Sequence, residues 1–73
     1  MPVTKANVND VFSYHAPDGD QHVAYEKLRS SARDFANAIL DLTPACADQQ
    51  AAIRLLRECV MTANAAIALK GSI

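Results

Sequence analysis

Residues 21–42 read QHVAYEKLRSSARDFANAILDL, and apolar side chains recur through them at a fixed rhythm. Tyr25, Leu28, Ala32, Phe35, Ile39 and Leu42 succeed one another at spacings of 3, 4, 3, 4 and 3. Side chains three and four apart share one face of a helix, so this is the seam of a helix packed along its length on another. The rhythm predicts a helix near 20–42. Before it, Ser13 to Asp20 contains Pro17 and Gly19 and reads as a turn, with Asp18 or Asp20 placed to cap that helix.

Thr43-Pro44 ends the helix, because a residue before proline is disfavoured in the helical region. The rhythm then resumes through Ile53, Leu56, Val60, Ala63 and Ile67, and Gly71 closes it after Lys70. This predicts a helix near 46–70, capped by Thr43 with Pro44 as its first residue, or by Asp48. Upstream, Thr4 is a candidate cap for a short helix near 4–12, with Ala6, Val8, Val11 and Phe12 as a loose apolar face. Two long helices joined by a short connection favour an antiparallel hairpin. The expected fold is therefore all-α: a short N-terminal helix and a helical hairpin, forming one domain over residues 1–73. No internal repeat, low-complexity tract or linker interrupts it.

A chain of 73 residues seldom draws more than about 3–5 kcal/mol from its own core. Two cysteines, Cys46 and Cys59, are too few for a disulfide framework, and no Cys-x-x-Cys or Cys/His cluster offers a metal. Self-association is the remaining common solution, and alanine-rich faces let helices approach closely. Seven Lys and Arg against eight Asp and Glu give a formal charge of −1, which argues against coating polymeric DNA or RNA. The cations are nevertheless clustered, Lys27, Arg29 and Arg33 in one group and Arg54 and Arg57 in another, so a small anionic ligand fits. No apolar run approaches a membrane span and no signal-peptide pattern is present, so the expected location is the cytoplasm, without membrane attachment. Both cysteines then read as reduced, small buried hydrophobes.

His15 and His22 are accompanied by no Ser–His–acid arrangement, paired carboxylates or metal spacing, so neither catalysis nor a cofactor is expected. Asn37 and Asn64 lie mid-helix, where Asn is mildly unfavourable, and read as buried amides that fix register between chains. An aromatic ring at Tyr14 and guanidinium groups at Arg29 and Arg33 suit a nucleotide, since bases stack on flat faces and phosphates pair with guanidinium forks. Each also has a plainer reading: Tyr14 as a surface ring, Arg29 as a solvated charge beside Glu26 or Asp34, and Arg54 paired with Glu58 at i+4.

Two segments carry a resemblance. Tyr14-His15-Ala16-Pro17-Asp18-Gly19-Asp20-Gln21, with Arg29, Ser31 and Arg33 after it, and Arg57-Glu58-Cys59-Val60-Met61-Thr62-Ala63-Asn64-Ala65-Ala66-Ile67-Ala68 together resemble the phage-encoded anti-CBASS sponges. These are small helical proteins that sequester the cyclic oligonucleotides bacteria use as antiviral alarm signals. The resemblance covers about 12–70 and implies a non-enzymatic sponge for cyclic di- and trinucleotides, such as cyclic GMP–AMP and cyclic tri-AMP, blocking CBASS effectors of the infected cell. It implies a homohexamer with pockets shared between chains. It places a dinucleotide on Tyr14, His15, Pro17, Arg29 and Arg33, and a trinucleotide on Ser31 with Arg57, for which Arg54 competes. Relatives often carry Lys at the position of Arg29 and Thr at that of Ser31; both changes keep a phosphate donor and a hydroxyl. The alternative from another class is a helical protein-interaction module, whose seam docks a foreign helix.

Overall fold

The computed structural model describes residues 2–72. Helix α1 spans Val8–Val11, α2 Gly19–Leu42 and α3 Ala47–Ala68, and the described residues contain no strand. The long helices meet the sequence reading within a residue or two at each end. The first helix does not: it is a single turn, because the Asn7 side chain bonds the backbone around it. Its Oδ1 accepts from the Thr4 amide at 2.7 Å and its Nδ2 donates to the Pro2 carbonyl at 3.0 Å. Thr4 therefore belongs to a turn, and Asn7 is the residue before the helix.

Asp18 is the cap of α2. Its carboxylate accepts from the Gln21 amide at 3.2 Å, and the Gln21 side chain accepts from the Asp18 amide at 3.1 Å, a reciprocal box that satisfies two otherwise free donors. At the other end, Thr43 turns its hydroxyl back to donate to the Ile39 carbonyl at 2.6 Å, so it cannot cap the next helix. Neither expected cap serves α3; Cys46 stands at that position without a side-chain bond, and Asp48 lies inside the first turn, where its charge favours the helix dipole. The C-terminus of α3 closes on left-handed residues, Lys70 at φ 53° and Gly71 at φ 74°, with the Gly71 amide donating to the Ala66 carbonyl at 3.1 Å.

Two glutamines tie the antiparallel helices together. Gln21 Nε2 donates to the Ile67 carbonyl at 2.8 Å, joining the start of α2 to the end of α3. Gln49 is buried at the opposite end, where its Nε2 donates to the Thr43 carbonyl at 3.1 Å and lies 3.5 Å from that of Leu40. The Leu40 carbonyl stands in the last turn of α2 and the Thr43 carbonyl at its C-cap, where the helix itself supplies no donor, so Gln49→Ala strands backbone oxygens at a half-covered site. A loss of about 1–2 kcal/mol is expected, roughly 4–15 °C in melting temperature for a domain this small, read by circular dichroism.

Between these ties the seam holds Tyr25, Leu28, Ala32 and Ile39 of α2 against Ile53, Leu56, Val60, Ala63 and Ile67 of α3, all half-buried. Two seam residues depart from expectation: Phe35 and Leu42 are exposed. So are both cysteines and Asn37, which the sequence reading buries: Asn37 and Cys59 fall on faces of their helices turned away from the other helix, and Cys46 lies in the connection before α3. Asn64 is half-buried, and its Oδ1 is covered without a partner. Helix α1 packs on neither long helix. The described residues include no fully buried apolar side chain, and the radius of gyration of 15.3 Å exceeds the about 11 Å of a compact chain of this length. No helix among the described residues is long and apolar enough to cross a membrane.

Candidate functional site

An open groove of about 380 Å³ lies between α2 and α3 along one edge of the hairpin. Its floor is Ala32 and Ala36 from α2 and Ile53, Leu56 and Val60 from α3. The alanines set its depth: a methyl group on α2 opposite branched side chains on α3 leaves a trough that a leucine would fill. Arg29 and Arg33, one turn apart on α2, border it on one side, and Arg57 and Met61, one turn apart on α3, on the other.

Three guanidinium groups thus flank an apolar floor, and among the described residues none has a carboxylate within ion-pair distance. The one such pair there is His15 with Asp10. The plainer readings in which Arg29 pairs with Glu26 or Asp34, and Arg54 with Glu58, are therefore not realised. Like charges one helical turn apart cost a few tenths of a kcal/mol, about 0.2–0.5 for a pair such as Arg29 and Arg33. An anion entering the groove removes that cost and finds donors already in place. The apolar floor strengthens each contact by excluding water from one side. In size the groove falls at the small end of ligand clefts, where flat apolar faces are buried and a few charged groups fix orientation.

Of the residues singled out from the sequence, Arg29, Arg33 and Arg57 meet in this groove; the others do not line it. Tyr14 is 86 % exposed on the extended segment between α1 and α2. His15 is half-buried and turned to the preceding turn, its Nε2–H donating to the Asp10 carbonyl at 2.7 Å; a carbonyl carries no proton, so this nitrogen must hold it. Pro17 is half-buried in the same segment. Ser31 is exposed, two residues from both Arg29 and Arg33, which on a helix places it on the opposite edge of α2. Arg54 is exposed outside the groove, so of the two candidate arginines of α3 it is Arg57 that reaches this site.

The sequence reading gave Met61 and Ala36 no role in a site and placed Ala32 only in the helix seam. The signal for Met61 was its place one turn beyond Arg57. For Ala32 and Ala36 there was none, since alanine in a helix seam reads as close packing. The described residues contain no cluster of His, Cys, Asp and Glu able to hold a metal.

A family model described as Acb2/Tad1, hairpin domain, matches residues 4–68, which takes in the whole hairpin and the segment before it. No curated protein and no solved structure matches the chain.

Proposed function

Because the chain belongs to the Acb2/Tad1 hairpin family, the anti-CBASS cyclic oligonucleotide sponges, we propose that it captures cyclic di- and trinucleotides and so withholds them from the effectors of the host's CBASS defence. The observation that carries this reading is the arginine-flanked apolar groove, with Arg29, Arg33 and Arg57 free of carboxylate partners among the described residues. A cyclic dinucleotide presents two phosphates on a ring between two flat bases. The guanidinium forks pair with the phosphates, and base faces or sugar carbons lie on Ile53, Leu56, Val60 and Met61. No bond is broken: stoichiometric capture lowers the free messenger, and release is as reversible as binding.

Tyr14, His15 and Pro17 join the dinucleotide site when a second copy brings its extended segment over the groove, or when the segment closes on the ligand. Ser31 and Arg57 of one chain stand on different edges of the hairpin, so a trinucleotide pocket built from both draws them from different copies. This reading therefore includes a homo-oligomer, a hexamer as in the family, acting in the cytoplasm of an infected bacterium.

Heat stability tests it. At about 100 times its dissociation constant, a ligand adds roughly 2.7 kcal/mol, or about 10–20 °C for a domain of this size. Cyclic GMP–AMP and cyclic tri-AMP are each expected to raise the melting temperature this far, and linear mononucleotides to do so far less. A panel of cyclic di- and trinucleotides that leaves the transition unmoved would overturn the proposal.

A further inference from the structure

The chain exposes 5714 Å² of surface, whereas a compact monomer of its 7.9 kDa exposes about 4,400 Å². The difference, about 1,300 Å², exceeds the about 800 Å² that each partner contributes to a standard interface. Part of this excess lies on an ordered stripe. Leu28, Phe35 and Leu42 are spaced seven apart on α2, and while Leu28 is half-buried, Phe35 is 59 % and Leu42 83 % exposed. The stripe runs about 21 Å along the helix, on the edge away from Arg29 and Arg33. The seam of α2 is thus wide enough for two helices, and α3 covers one half of it.

We propose that the second half is covered by α2 of another copy, laid antiparallel about a two-fold axis at Phe35. The stripe is symmetric about that residue, with a leucine seven positions before it and a leucine seven positions after. In this register Phe35 meets the second copy's Phe35, and Leu28 meets the second copy's Leu42, as a self-complementary interface requires. On one flank of the contact Lys27 comes within a helical turn of the second copy's Asp41, and neither has an ion-pair partner among the described residues of its own chain; Asp34, on the same flank, approaches the second copy's Asp34 beside the axis, one like-charge contact set against two Lys27–Asp41 pairs. Ser31, between Leu28 and Phe35, is carried to the margin of this contact, while the arginine groove on the other edge stays open. The inference rests on the assembly part of the proposed function and not on the ligand.

Light scattering on the wild type, on Phe35→Glu and on Leu55→Glu tests it, since Leu55 is comparably exposed on α3 but lies outside the stripe. Wild type and Leu55→Glu are expected to share one assembled mass, and Phe35→Glu to fall to a smaller species. Should Phe35→Glu fail to fold, Phe35→Cys in a Cys46→Ser/Cys59→Ser background decides: residues facing across a two-fold axis come within disulfide reach, so oxidation is expected to give a covalent dimer. An assembled wild type with an unchanged Phe35→Glu mass, or with a Phe35→Cys chain that does not link, overturns this interface and leaves the sponge reading standing. A folded wild-type monomer overturns the interface and the proposed assembly together.

Discussion

Arg29→Ala is expected to weaken cyclic dinucleotide binding by roughly ten- to hundredfold, with helix content unchanged. The basis is the cost of one charge-assisted hydrogen bond to phosphate, about 1.5–3 kcal/mol. The side chain is exposed at the groove's edge and bonds no protein group among the described residues, so its removal takes nothing from the fold. Arg29→Lys is expected to keep much of the affinity, because a point charge still neutralises phosphate and only the fork is lost. Adding Arg33→Ala to Arg29→Ala removes a second donor from the same helix edge, and the two losses should fall short of additive, since each arginine also relieves its neighbour's repulsion when it is deleted. Isothermal titration of these variants, with Arg33→Ala alone as the fourth, reads all of this. Wild-type affinity in Arg29→Ala would remove the groove from the site and return the protein-interaction module to first place.

The fold was largely legible because the decisive signal is periodic. A 3-4 alternation over six positions specifies a helix face whatever the tertiary partner is, and α2 and α3 obey it almost to their ends. What the alternation does not carry is the number of partners on that face. Phe35 and Leu42 keep the same rhythm as Ala32 and Ile39, yet only the latter turn to α3. The caps misled for a local reason: Thr43 is a good cap by type, but a threonine hydroxyl at a helix end has two backbone targets, and here it takes the one behind it. The candidate site was legible by parts. Clustered cations on α2 and on α3 can be seen in the sequence, whereas their meeting depends on helix register. That register is set by the connection Thr43–Cys46 and the glutamine ties at Gln21 and Gln49, which no spacing rule reports. The depth of the groove comes from two alanines whose importance lies in what they leave empty.

Register also decides what Arg57 should do, and this separates one pocket from two. Arg57 borders the groove together with Arg29 and Arg33, while Ser31 faces the other edge of α2. Arg57→Ala is therefore expected to weaken cyclic dinucleotides by an amount similar to Arg29→Ala, again about ten- to hundredfold for one charged donor. If a second pocket joins Ser31 of one copy to Arg57 of another, the same variant also loses the trinucleotide, whereas Ser31→Ala loses the trinucleotide and spares the dinucleotide. Arg54→Ala serves as the control on α3: its side chain lies outside the groove, so both ligands should bind as before. The comparison turns on the dinucleotide. Full dinucleotide affinity in Arg57→Ala, alongside a lost trinucleotide, would mean that assembly draws Arg57 away from the groove of its own chain, leaving α2 alone to hold the phosphates.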